Sequence, residues 1–138
     1  CIHSIHTVSY GIKTVRYKLK EEYLSLPGKE IASLKKSGVE ITKEVITPIL
    51  AFVCDTTIEV FARNPSILNY PTIVVECTFL RPEDSNDSDH ISWPELKPVV
   101  QANPETFFIL IHFSMKYKTE EISKFFEEEK LQNIKPWL

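Results

Sequence analysis

Ile49-Leu50-Ala51-Phe52-Val53-Cys54-Asp55 is a short apolar run that stops on a carboxylate. Five apolar residues are too few for an ordinary helix, so residues 49–53 read as a buried strand that delivers Asp55 at its C-terminal end. The same arrangement recurs twice. Residues 72–77 form a second apolar run that carries Glu76 and leads towards His90, and residues 106–111 form a third that presents His112 directly after it. Strand ends are good places for polar side chains to converge, so these runs mark Asp55, Glu76, His90 and His112 as candidate site residues.

Working outward, residues 7–19 keep an approximate two-residue apolar period through Val8, Tyr10, Ile12, Val15 and Tyr17, which predicts a strand with one solvated face. Pro27-Gly28 punctuates the chain before a short helix over residues 29–37, and Gly38 supplies its stop. Residues 41–47 predict a strand, with Pro48 redirecting the chain before the 49–53 run. A short helix over residues 57–63 is followed by turns at Asn64-Pro65 and Tyr70-Pro71. Residues 81–89, dense in Pro, Asp, Asn and Ser, predict an exposed loop that places His90 near a loop-to-helix junction. Ser92-Trp93-Pro94-Glu95 fits a capping box that starts a helix reaching about residue 102. A terminal amphipathic helix over residues 119–130 carries Ile122, Phe125 and Phe126 on one stripe, with Glu120 and Glu121 at the positive end of its dipole. Strands alternating with helices predict an α/β fold.

The bulk numbers set limits. With 138 residues, 43% of them hydrophobic and 25% charged, the chain has the composition of one ordinary globular domain. A formal net charge of −3 gives no global attraction to a polyanion, so a nucleic acid would be held by a local patch or by another part of the protein. The apolar runs stop well short of the roughly 20 residues that span a bilayer, so no membrane helix is expected. Cys1, Cys54 and Cys77 form no CxxC pair and are expected to be reduced, which favours an intracellular compartment without resolving nucleus, cytoplasm or organelle. The chain starts at Cys1 with neither an initiator Met nor a signal peptide, and an upstream segment is expected to be missing.

Asp and neutral His are zinc ligands, and an Asp that bridges two metals helps position a nucleophile beside a phosphate. Each residue also has a plainer reading. Asp55-Thr56-Thr57 fits a helix cap, and a strand-end His112 fits a hydrogen-bonding structural histidine. Glu76, in an apolar run, must be paired, exposed at an edge or neutralised. His90 suits it as a partner, with the carboxylate orienting an imidazolium that donates a proton to a leaving oxygen; the plainer reading of His90 is an exposed loop residue. His3 and His6 form an isolated pair near the start of the sequence.

Three ordered segments carry a family resemblance: Ala51-Phe52-Val53-Cys54-Asp55-Thr56, Val74-Val75-Glu76-Cys77-Thr78-Phe79 and Ile111-His112-Phe113-Ser114-Met115-Lys116-Tyr117. With His90 between the last two, the set resembles tRNase Z, which has a Gly-Asp-Thr turn, a Glu-x-Thr-Phe strand end, a downstream His and a His-Phe-Ser-x-Arg-Tyr element. Ser9-Tyr10-Gly11-Ile12, Pro27-Gly28 and Leu34-Lys35-Lys36-Ser37-Gly38 extend the likeness over nearly the whole chain. The resemblance implies the C-terminal part of a metallo-β-lactamase-like αββα sandwich. It implies Asp55, His112 and His6 as metal ligands, with His3 in place of His6 if the spacing to Gly11 requires it. It also implies Glu76 and His90 as the proton-donating pair, and Ser114 and Tyr117 as residues that shape the site or contact phosphate.

Two residues depart from the family pattern. Cys54 stands where Gly is usual, and Lys116 replaces Arg, keeping the charge but losing the bidentate guanidinium. No His-x-His-x-Asp-His occurs in the 138 residues, although that family motif supplies ligands to both metals. The expectation is therefore part of a zinc-dependent endoribonuclease that processes the 3′ end of precursor tRNA. Two zinc ions are expected only in the complete site, this chain is expected to be inactive alone, and an N-terminal complement or a homodimer is its expected partner. The alternatives are a noncatalytic binding or scaffolding domain, or a hydrolase of another phosphodiester or ester substrate.

Overall fold

A computed structural model describes residues 3–84 and 89–138, and the chain divides into two compact units. Residues 1–12 and 48–138 form the first, and residues 13–47 the second. In order, the elements are β1 (Tyr10–Leu19), α1 (Gly28–Lys36), β2 (Thr42–Val53), α2 (Glu59–Arg63), β3 (Thr72–Glu76), α3 (Trp93–Ala102), β4 (Phe107–Ile111), α4 (Thr119–Glu129) and β5 (Ile134–Pro136).

In the second unit, the later part of β1 lies beside the start of β2, with a 3-10 turn and α1 between them in sequence. Gly38, at φ 82°, ends α1: its own N–H reaches Lys35 O at 3.2 Å and Val39 N–H reaches Leu34 O at 3.1 Å. A left-handed residue there costs a glycine little, which is why the helix stops where the sequence says it should.

The first unit is built on parallel strands. Leu50 to Val53 of β2 pair with Thr72 to Val75 of β3, β3 pairs with β4, and β4 with β5. The three expected apolar strands are thus present and adjacent. Pro48 does not redirect the chain, however: β2 runs through it without a break. Proline's φ suits extended backbone, and the ladder to β3 starts only at Leu50, so the missing N–H removes no bond to that neighbour. The short β5 has no apolar pattern of its own and was not expected.

Alternate residues of the strands point into the core. Val53, Ile73, Val75, Phe108 and Leu110 are buried against Val60 and Phe61 of α2, Trp93, Leu96 and Val100 of α3, and Ile122 and Phe126 of α4. Trp93 meets Phe126 edge to face, with centroids 5.0 Å apart. The capping box is present: the Glu95 carboxylate accepts the Ser92 N–H at 3.0 Å and α3 begins at Trp93. The opposite face of the sheet is also apolar. Phe52, Val74, Ile109 and Ile111 line a groove of about 270 Å³ with Trp137, which is 65% exposed. Apolar residues on both faces explain why these strands read as continuous runs rather than alternating ones.

Gly11 is held against Tyr70: a β-carbon there would lie 2.1 Å from the Tyr70 hydroxyl oxygen and 2.8 Å from the ring carbon bearing it. Tyr70 is buried, and its ring would have to shift for a β-carbon to fit. Gly11→Ala should destabilise the fold by about 1–3 kcal/mol, the usual range for overpacking. Urea unfolding of the variant measures this directly, and an unchanged midpoint would show that the ring is free to move.

Candidate functional site

Glu76 ends β3 with its side chain completely buried. Its carboxylate accepts Thr56 N–H at 2.6 Å, the Thr78 hydroxyl at 2.5 Å and Ile91 N–H at 3.2 Å, and His90 Nδ1 lies 3.0 and 3.1 Å from its two oxygens. The pairing expected from sequence is therefore made, with three further donors. With Nδ1–H directed at the carboxylate, the neutral His90 ring carries its lone pair on Nε2.

His112 follows β4 at φ 62°, a left-handed conformation that turns the chain off the strand end. Cys77 N–H bonds Ile111 O at 2.9 Å and Ser114 N–H bonds Thr78 O at 2.9 Å, so hydrogen bonds hold the backbone on either side of the bend. His112 Nδ1 lies 2.9 Å from Thr78 Oγ1, and its Nε2 lies 3.6 Å from Asp55 Oδ1. The rings of His90 and His112 stack, with centroids 5.1 Å apart and planes 25° apart. Asp55, His112, His90 and Glu76, drawn from four separate stretches, are thus brought together.

An imidazole nitrogen facing a carboxylate oxygen across 3.6 Å is a donor pair suited to a divalent cation, and both groups are partly exposed. One potential ligand atom each from Glu76, His90 and His112 also lies within 4.8 Å of the other two. Glu76 is the weakest of these three as a ligand, because its buried oxygens already take four donors. Asp55 and His112 are the better pair, with Glu76 behind the histidines.

His6 and His3 part company. His3 stacks edge-on against His90, with centroids 5.0 Å apart, whereas His6 lines a separate cavity of about 430 Å³ with Tyr10, Val60 and Tyr70. The ring near the cluster is therefore His3, the reserve choice from sequence. Its Nδ1 accepts Ile5 N–H at 3.1 Å, while its buried Nε2 has no hydrogen-bond partner among the described residues. As arranged, the neutral ring keeps its proton on Nε2, so ligation through that atom requires the Ile5 contact to be released. Asp89 ties this segment to the His90 loop by accepting Ser4 N–H at 3.3 Å, and the bonding to Ser4 holds its carboxyl below the usual aspartate range. Sequence reading gave Asp89 no role, because nothing local signals a partner 85 residues away.

Ser114 is part of the bend after His112, its N–H held by Thr78 O. Tyr117 is turned elsewhere: its hydroxyl accepts Leu80 N–H at 3.1 Å and donates to Asp84 Oδ2. Lys116 Nζ also meets Asp84, 2.9 Å from Oδ1 and 3.0 Å from its carbonyl, and sits 5.0 Å from the centre of the Phe79 ring. Both side chains thus brace the segment before residue 85. Of the 81–89 loop, residues 85–88 lie outside the described residues, as does Cys1. Cys77 is a free thiol, and burial pushes it well up.

No family model matches the sequence. Among curated proteins, the chain is 40% identical over 126 residues to tRNase Z TRZ1 of Arabidopsis thaliana, an alignment covering 87% of this chain and 45% of the relative. It is 35% identical over 128 residues to tRNase Z TRZ2, chloroplastic, of the same plant, covering 87% of the chain and 36% of the relative. A shorter match, 56% identical over 43 residues, is to nuclear ribonuclease Z of Triticum aestivum and covers 31% of the chain and 24% of the relative. The chain therefore spans less than half the length of the curated relatives it matches.

The Tyr117–Asp84 contact has opposite signatures at the two ends of the pH scale. Hydrogen bonds from Tyr117 and then Lys116 hold Asp84 below its ordinary range, so its contribution is full above the unfolded value of about 3.9 and fades as pH falls through the folded value. Burial, and then Asp84, push Tyr117 up to about 12, so its contribution is full below about 10 and is lost as pH rises through 12. Tyr117→Phe should therefore lower the melting midpoint most between pH 6 and 9, with the gap narrowing towards both extremes to the share that comes from the lost Leu80 contact. Melting curves recorded across that range and out to both extremes check it, and a gap that does not narrow at low pH would separate Tyr117 from Asp84.

Proposed function

Taking as premise that this chain is tRNase Z-like over 87% of its length, we propose that it provides one side of a metal-dependent endoribonuclease site that removes 3′ extensions from precursor tRNA. The observation that carries the reading is the juxtaposition of His112 Nε2 and Asp55 Oδ1 at 3.6 Å, beside a histidine held by a buried carboxylate. A structural cap at Asp55 and a lone structural histidine at 112 would not need to face each other. Asp55 and His112 would hold zinc, with His3 rather than His6 as a further donor. Zinc there would supply Lewis-acid stabilisation of charge on the phosphate and activate water.

The remaining chemistry lies with side chains of this chain. Glu76 holds His90 by Nδ1 and would stabilise it as an imidazolium, whose Nε2–H would then give its proton to the leaving ribose oxygen, the ring returning to neutral. Ser114 fixes the bend that aims His112. With a net charge of −3, the chain has no overall field to draw in RNA, so docking of the tRNA body is assigned to the rest of the enzyme.

The same reading assigns the fold to the C-terminal part of a metallo-β-lactamase-like sandwich completed by an N-terminal complement. Supporting this, the relatives are more than twice the aligned length, and the face bearing Phe52, Val74 and Ile109 is apolar although parallel sheets are normally covered on both sides. No helix among the described residues is long and apolar enough to cross a membrane.

The test is cleavage of a precursor tRNA carrying a 3′ trailer, by the chain alone and by the chain mixed with the N-terminal half of an aligned relative. Trimming is expected only from the mixture and only with zinc. Asp55→Ala or His112→Ala should abolish it, and His90→Ala should slow it by about 10²- to 10⁴-fold without loss of tRNA binding. Cleavage indifferent to Asp55 and His112 would sink the assignment, and tRNA binding without cleavage in every mixture would favour a noncatalytic domain. Zinc should bind the lone chain weakly; one tightly held ion per chain would show that the site is already complete.

A further inference from the structure

The two imidazoles of the site are tied to one carboxylate by different routes. His90 reaches Glu76 directly, whereas His112 reaches it through the Thr78 hydroxyl, 2.5 Å from Glu76 Oε2 and 2.9 Å from His112 Nδ1. A threonine hydroxyl has one proton and two lone pairs, and a carboxylate that already takes the N–H groups of Thr56 and Ile91 can only accept. The hydroxyl proton therefore goes to Glu76, and what remains for His112 is a lone pair. His112 Nδ1 must then be the donor. In the neutral ring this leaves the lone pair on Nε2, the atom that faces Asp55.

We propose that Thr78 is a positioning residue: its hydroxyl fixes His112 in the Nδ1–H tautomer and so makes Nε2 the atom available to a metal. The metal half of this statement rests on the function proposed above; the tautomer half does not. The backbone agrees with it. His112 sits at φ 62° and is more than a third exposed, so burial alone does not hold its ring. Thr78 holds it twice, by its hydroxyl on the ring and by its carbonyl on Ser114 N–H beyond the bend. Valine has the shape of threonine without the hydroxyl, and would leave both His112 Nδ1 and Glu76 Oε2 one partner short. Serine keeps the hydroxyl.

The experiment is ¹⁵N NMR of the histidine rings in the metal-free chain, with the ring nitrogens assigned by long-range couplings, for the unsubstituted protein, Thr78→Val and Thr78→Ser. Zinc chloride is then titrated against a chromophoric chelator. The expected result is the Nδ1–H tautomer at His112 in the unsubstituted protein and the serine variant, and Nε2–H or an exchanging mixture in the valine variant. Zinc affinity should fall about 10- to 100-fold in Thr78→Val, the range for loss of a ligand-orienting group, and recover in Thr78→Ser. A simple structural role would lower stability without moving the tautomer. The proposal is overturned if the unsubstituted chain carries Nε2–H at His112, if Thr78→Val keeps the tautomer and the zinc affinity, or if Thr78→Ser is as impaired as Thr78→Val. Should the valine variant not fold, the unsubstituted and serine spectra still decide it. If the unsubstituted chain shows Nδ1–H yet takes no zinc even when mixed with the N-terminal half of an aligned relative, the proposed metal function fails and the tautomer assignment stands.

Discussion

The carboxylate of Glu76 is the group on which the rest of the first unit's polar end depends. Taking an ion wholly out of water costs several kcal/mol even after relaxation, and only well-placed donors offset that. Here the donors come from Thr56, Thr78, His90 and Ile91, spread along 36 residues of chain by their numbers. None can be withdrawn without leaving a buried charge short of partners, so the turn after β2, the end of β3 and the entry to α3 are fixed relative to one another. The β3–β4 register, with Glu76 opposite Ile111, then sets Thr78 beside His112. A site geometry follows from one buried charge and one strand register.

Parallel strands explain why so much of this was legible in the sequence. All of them end on the same side, so Asp55, Glu76 and His112, each at the end of an apolar run, had to be neighbours once the runs were recognised as adjacent parallel strands. Glu76 was legible for a second reason: a carboxylate among Ile, Val and Cys needs a partner, and His90 was the nearest candidate downstream. The capping box at Ser92 was legible because its signal is confined to four residues.

What escaped the sequence was contact without local pattern. Thr78 looks like an ordinary strand-end threonine until its two hydrogen bonds are seen. Tyr117 was expected near the chemistry only because the family resemblance implied it, yet the chain bends after His112 and delivers the ring to Asp84. His3 and His6 differ by three positions in an irregular segment, where no periodicity says which ring faces inward. Pro48 was misread because proline disrupts a strand only where its N–H is needed, and that depends on where the neighbouring strand begins.

The orienting network and the ligand set therefore have different boundaries. Among the described residues, the hydrogen bonds that aim His90 and His112 are made within the first unit, by carboxylate, hydroxyl and backbone groups. The proposed ligands are not so contained: Asp55 and His112 would provide two donors, and His3 would offer a third only by giving up Ile5. Zinc sites with open catalytic positions use three protein ligands, so under the proposed function two oriented donors would make a weak site with its geometry already set. A chain of this kind can carry the shape of a catalytic centre without its affinity, because orientation is fixed by burial and strand register whereas affinity is fixed by the number of donors.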